Sequence, residues 1–480
     1  MGIVLALDKA IGNAAERVVR RHHGRRLRRL GWERALQPPD GALWAAGDPP
    51  PREGCSLEVL VDGAEALPRL AAELKRARSH VHLAGWYVSP DFALTRGPSP
   101  VELRRLLAEL AERIPVRMLV WAGSPLPLFH PDRRDVDGVR HALTFGTNIQ
   151  LARDAKERPL HCHHEKIVVI DDRVAFVGGI DLTTYAGDRF DSSAHEARSD
   201  VGWHDALCVL RGPAVADVAA HFRERWESVT GDELPPPRRP RRTGEVAVQV
   251  VRTVPERIYD PVRRGEFRIL ESYSRALEAA ERFVYLENQF LWSSEICRIL
   301  ERKLAEPPAD DFRLVLLLPV NPNNGDDDTR GQLADLVECD DGAGRLIACS
   351  LLALGELGPC PVYVHAKIGI VDDRWLTLGS ANLNEHSLFN DTEMNVVTCD
   401  PALARDTRMR LWSEHLQRPL DEVSGDPVRV VDELWKPIAE EQDARRRRGE
   451  PPTHRLCLLP HVSRRTNRLL GPLQSFLVDG

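Results

Sequence analysis

The sequence has no Cys-x-x-Cys pair. Its nine cysteines are scattered and odd in number, which argues against a disulfide scaffold and for a reducing cytoplasm. No apolar run approaches the roughly 18 residues of a membrane span; the longest, such as 314–318, have the length of buried strands. Asp8 and Lys9 interrupt the first apolar stretch and no cleavage site follows, so no secretory signal is expected. There is no basic excess. The net charge is −7 and the pI about 6.2, against a dedicated nucleic-acid binder. Lysine is rare: only seven of the 65 basic residues are lysine, and the others are arginine. Where such a chain keeps lysine, the residue type has a reason.

What is present is globular. The 480 residues are 42% hydrophobic and 29% charged, which excludes a disordered chain and fits two to four domains. Val4, Leu7, Ile11, Ala14 and Val18 have helical spacing, and a dense run from Arg17 to Arg29 follows. Residues 1–30 thus read either as a helix packed on the body with a solvated basic end, or as an interfacial helix for anionic lipid. From residue 57 strands (57–61, 81–87, 116–122) alternate with helices (66–79, 101–113), the pattern of an α/β fold. A Pro/Arg-rich connector follows at 231–245. The alternation then resumes, with strands at 246–251, 283–289 and 313–318 and helices at 267–281 and 294–304. The expected layout is an N-terminal segment 1–53, a repeat 54–230, the linker 231–245, a repeat 246–420 and an extension 421–480. In that extension Asp426 is a helix N-cap, with Pro437 kinking or splitting the helix.

Self-comparison is the most informative reading. Residues 164–184, HEKIVVIDDRVAFVGGIDLTT, align without a gap to residues 365–385, HAKIGIVDDRWLTLGSANLNE. One match to His-x-Lys-x4-acid is expected only about 0.04 times in a chain of this composition. Two in register within a longer repeat are not chance. His164 and Lys166 share one strand face, as do His365 and Lys367, because side chains alternate along a strand. Asp171 and Asp372 end the motifs with opposite parity, at turns, as supports.

Two imidazoles, two ammonium groups and an amide suit a phosphodiester. One histidine attacks phosphorus, the other acts as general acid and base, and the lysines stabilise the anionic oxygens. One copy holds one histidine, so the copies must meet. Each imidazole needs an acceptor: Glu393 opens the strand after the second motif, and Asp205 has that place in the first. His161, Cys162 and His163 crowd His164 too closely for one tetrahedral metal ion, and no metal or cofactor is expected. The acidic run 326–328, with Asn321, Asn323 and Asn324, reads as a loop. The apolar stretches 126–129 and 351–357 are candidate membrane contacts. Trp86, Phe290 and Trp292 are candidates for a lipid-chain cleft or for core.

The paired motifs, with GWYVSP (85–90), YLENQF (285–290), GDRFD (187–191) and WHDALCVLRGPAV (203–215), resemble the phospholipase D superfamily, nearer its phospholipase D and cardiolipin synthase branches than its nucleases. The resemblance covers about residues 55–420. It implies two α/β/α sandwich repeats forming a pseudo-dimer with one active site at their interface, in a monomeric chain. It implies metal-independent phosphatidyl transfer through a phosphohistidine on His164 or His365, with Lys166, Lys367 and Asn382 as phosphate ligands. It places Asp171, Asp372, Asp205 and Glu393 in the catalytic set and Asp181, Gly179, Ser380, Trp86, Asn288 and Gln289 around the substrate. Asp181 stands where the second copy has Asn382, and an anion does not bind phosphate as an amide does. The expected activity is hydrolysis of phosphatidylcholine-like lipids to phosphatidic acid, from the cytoplasmic side of a membrane touched peripherally. A cardiolipin synthase-like transferase, a nuclease and a non-catalytic lipid binder are the alternatives.

Overall fold

The computed structural model describes residues 2–39, 41–127, 129–158, 161–322, 326–356 and 358–459, with backbone only for 2–13, 15, 16 and 326–328. Strands and helices alternate in a mixed α/β fold. In the first half the strands pair in the order Gln150–Asp154, Val116–Trp121, Val81–Gly85, Ile167–Ile170, Val174–Gly178, Ala206–Arg211, Arg52–Val61. The first two pairings are parallel and the other four antiparallel. In the second half the order is Leu346–Ala353, Arg313–Leu317, Phe283–Glu287, Ile368–Val371, Trp375–Gly379, Glu393–Thr398, Val246–Val254, with the same directions. The two sets join where Arg52 and Cys55 pair with Val248 and Val246.

The motif strands are near-continuous β-branched runs, the signature of strands buried on both faces. Each ends in a left-handed aspartate pair, Asp171–Asp172 and Asp372–Asp373, a conformation aspartate tolerates and β-branched residues do not. Three apolar clusters organise the packing. One holds each half's outer face, and the third draws on both halves, from Val169 and Val177 to Leu378 and Val396. Across it the strands Val174–Gly178 and Ala206–Arg211 touch Trp375–Gly379 and Glu393–Thr398. The functional side chains sit at the ends of these central strands.

Several elements differ from the sequence reading. Residues 326–328 open the helix Asp326–Asp340 rather than a loop; acids in a first turn favour the positive end of the helix dipole. Asn323 and Asn324 lie outside the described residues. Leu351 and Ala353 are buried in the strand Leu346–Ala353 and not open to a membrane, whereas Leu126 is exposed; 128 and 357 are outside the described residues. Asp426 does cap its helix, accepting from the Val428 N–H at 2.9 Å. Pro437 does not split it. A π-helical turn, Val431–Trp435, precedes Lys436–Arg447 and absorbs the clash of the proline ring with the preceding turn. The extension continues into the strand Leu456–Leu458, which pairs with Leu346–Ala353. The segment 231–245 holds no strand or helix.

The helix Gly2–Leu30 packs on the second half. Arg26 pairs with Glu256 at 2.6 Å and donates to the Phe389 carbonyl at 2.8 Å. Leu27 is fully buried, and the His23 ring stacks on Phe389. Arg17, Arg21, Arg25, Arg28 and Arg29 remain exposed. Among the described residues no helix is long and apolar enough to cross a membrane.

Candidate active site

The residue pairs leading into the two motifs are held by the opposite half of the chain. The His164 N–H donates to the Thr392 carbonyl at 3.0 Å, and the Thr392 N–H to the Cys162 carbonyl at 3.2 Å. Reciprocally, Tyr363 and Val364 pair with Trp203 and His204, and the His365 N–H donates to the His204 carbonyl at 2.8 Å. This backbone exchange sets the side chains. His164 Nδ1 meets Glu393 Oε1 at 2.9 Å, and His365 Nδ1 meets Asp205 Oδ2 at 2.6 Å. The sequence pairs each acid with the histidine of its own copy. The structure corrects this: the acids are exchanged, because the residues just before each acid, Thr392 and Trp203–His204, pair with the other half's motif.

A carboxylate at Nδ1 fixes the proton there and leaves a lone pair on Nε2, the tautomer a nucleophile or base needs. Burial pushes the His365 pKa well below the ordinary range, helped by Lys367, Lys166, Arg189 and His164, so their charges reach one ring. Burial raises Asp205 to about 7 and Glu393 well above its usual value. Glu393 also accepts from Ser387 Oγ at 2.6 Å and from Ser380 Oγ. At the position matching Ser380 the first half has Gly179, packed so tightly on Asp205 that a Cβ would collide with its Oδ1.

Both lysines fold back in the same way. Lys166 Nζ donates to the His164 carbonyl at 2.8 Å, and Lys367 Nζ donates to the His365 carbonyl. Their other neighbours differ. Lys166 lies 3.4 Å from Asp181. Lys367 Nζ and Asn382 Nδ2 instead donate to Gln289 Oε1, at 3.4 and 3.3 Å. Burial and the charge of Lys166 lower Lys367 to about 7. The Asp181 carboxylate thus pairs with one ammonium, while the other hydrogen-bonds a neutral amide and feels Asp205, Asp181 and Glu393 only through space.

The family model described as "Cardiolipin synthase, PLD-like domain" matches residues 347–413. Phospholipase D1 of Schizosaccharomyces pombe is 26% identical, over 75% of this chain and 34% of its own length. Phospholipase D2 of Bos taurus is 26% identical, over 73% of this chain and 50% of its own. The chain therefore spans about a third to a half of the curated relatives it matches. The crystal structure of phosphatidylserine synthase from Haemophilus influenzae shares the fold, with a TM-score of 0.52 at 13% identity, covering 76% of this chain and 87% of that one. Over about three quarters of its length the chain is similar to these phospholipases D.

Not every expected residue joins the site. Asp171 and Asp372 do not. Each sits at the far end of its motif strand and accepts from loop N–H groups: Arg78, Ser79 and His80 for Asp171, Glu281, Arg282 and Phe283 for Asp372. They fasten the loop before the neighbouring strand. Asn288 is likewise internal, its Oδ1 accepting from the Leu383 and Phe290 N–H groups. Phe290 is core, and Trp86 is 5% exposed, stacked with Trp121 in a cluster with Tyr87 and Tyr185. Sequence reasoning missed Ser387, Tyr363, which accepts from Gln289 Nε2 at 2.9 Å, and Arg189. The Arg189 guanidinium is buried over the Trp203 ring, 3.2 Å from its centroid. Ser387 and Arg189 have no counterpart in the other copy, so self-comparison could not find them.

Proposed function

We propose that this chain is a phospholipase D-type phosphodiesterase in which two like halves form an internal pseudo-dimer around one active site, and that it hydrolyses phosphatidylcholine-like lipids to phosphatidic acid. The exchange of acids between the two histidines carries this reading, since it makes each half incomplete without the other. One Nε2 attacks phosphorus, and the P–O bond to the head group breaks as the second imidazole, protonated in the complex, hands its proton to the leaving oxygen. Water or a primary alcohol then gives that imidazole its proton and displaces the phosphohistidine. Lys166, Lys367 and Asn382 hold the charge that develops on the phosphoryl oxygens, with Gln289 orienting the last two.

Two observations favour lipid over nucleic acid. The net charge is −7. The N-terminal helix shows five arginines to solvent while docking on Phe389, four residues from Glu393, and a basic face of this kind suits anionic lipid. The deciding experiment is a substrate panel of phosphatidylcholine, phosphatidylethanolamine, phosphatidylglycerol and single-stranded DNA, with and without ethanol, read by product mass. Phosphatidic acid, replaced by phosphatidylethanol when the alcohol is present, is the expected result. DNA cleavage with no lipid product contradicts the proposal.

A further inference from the structure

A second cluster of ionisable side chains lies beside the histidine–lysine site and takes no part in it. Asp62, His195, His204 and Glu414 each bring one ligand-type atom to a common point, all within 4.8 Å of one another. His204 Nδ1 is 3.0 Å from Asp62 Oδ1 and 3.4 Å from Glu414 Oε1. His195 Nε2 is 3.1 Å from the same Glu414 oxygen and 3.9 Å from Asp62 Oδ2. Around a zinc ion with bonds of about 2.0–2.1 Å, tetrahedral ligand atoms stand about 3.3 Å apart. The three separations to Asp62 Oδ1 and Glu414 Oε1 bracket that value, and the 3.9 Å one runs to the second Asp62 oxygen. Asp62, His195 and His204 are at most 1% exposed.

The outward nitrogens of both imidazoles are already engaged. His195 Nδ1 faces Asp191 Oδ2 and His204 Nε2 faces Glu287 Oε2, each at 3.0 Å. A neutral imidazole has one N–H. Donated outward, it leaves a lone pair pointing inward at carboxylate oxygens, an arrangement that either a proton or a metal cation between them balances. Carboxylate–histidine–metal is the usual outer shell of a metal site. In addition, Asp62 Oδ2 is buried in the cluster with no hydrogen-bond partner among the described residues.

We propose that Asp62, His195, His204 and Glu414 form a structural site for one divalent transition metal of the zinc class. The position gives the site a purpose. His195 lies in the irregular segment 179–202, where the first half carries an insertion, and that segment has no helix or strand of its own to hold it. Asp62 and His204 come from the first half and Glu414 from the helix Pro401–Leu416 of the second. The cation therefore ties the insertion to both halves. It also braces the reactive centre: Asp62 accepts from the Asp205 N–H at 3.1 Å, and the His204 carbonyl receives the His365 N–H. Without metal the cluster balances its carboxylates with imidazolium protons. Loading exchanges two of those protons, one from each inward nitrogen, for one divalent cation, and the total charge is unchanged.

This inference does not depend on the lipid reading, and its test does not use activity. The full chain, expressed in zinc-supplemented medium and washed with chelator, is analysed for metal by mass spectrometry; a parallel culture with cobalt is examined for visible absorption. About one zinc per chain and the d–d bands of a tetrahedral cobalt centre are expected. H195A should lose the metal and melt several degrees lower. H161A, in the separate His161–His386–Asp391 cluster, should keep it. Wild-type chain without stoichiometric metal and without the cobalt bands overturns the proposal, as does H195A that retains the metal. The wild-type measurements decide the matter even if H195A does not fold.

Discussion

At the scale of single residues, the two halves of the site are unequal. Lys166 lies 3.4 Å from Asp181, while Lys367 donates to the Gln289 side-chain oxygen and its own backbone and feels Asp205, Asp181 and Glu393 only through space. Burial lowers Lys367 to about 7, so its ammonium is present below that pH and is lost as pH rises through it. A phosphate ligand that needs the charge is then bound more weakly. The alkaline limb of kcat/KM against pH should accordingly fall near 7, about three units below where an ordinary lysine would set it. A profile flat from pH 6 to about 9 contradicts this assignment. The residue between His164 and Lys166 takes no part in this chemistry. Glu165 is buried against Arg225 and His221, in a separate ion-pair network.

At the scale of elements, the long N-terminal helix has two faces with different work. Arg20 and Arg26 are tied to Glu295 and Glu256 and hold the helix on the second half. Arg21, Arg25, Arg28 and Arg29 are exposed. Each exposed arginine near an anionic surface is worth about 1 kcal/mol. Changing Arg21 and Arg25 to Glu should therefore weaken sedimentation with phosphatidylglycerol vesicles by more than tenfold at low salt, with thermal stability unchanged. Equal binding by the variant removes the helix from the membrane account. Local patterns reveal some elements and hide others. The motif strands are legible because β-branched runs and Asp-Asp-Arg turns recur at a fixed offset. The helix Arg133–Thr144 escapes the sequence reading, although Asp132 and Asp135 form a capping box ahead of it. The helix Asp326–Asp340 is hidden by its acids, which read as a solvated loop when considered without the helix dipole.

At the scale of the whole molecule, the repeat makes the mixed α/β fold and the two matching motif strands readable from the chain alone. The partners of those residues are not. Which acid orients which histidine depends on backbone pairing between Cys162–His164 and Thr392, and between Tyr363–His365 and residues 202–204. Those contacts join parts of the chain 160 or more residues apart, and no local pattern encodes them. The same holds for Glu414, which a helix of the second half brings to His195 and His204 of the first.

The most direct test is the rate of phosphatidylcholine hydrolysis by H164A and by H365A, measured separately with folding checked by circular dichroism. If both imidazoles serve one phosphorus, each variant loses at least about a thousandfold in kcat/KM, and mixing the two folded, inactive chains restores nothing. A variant that keeps wild-type activity with either histidine gone contradicts a shared site.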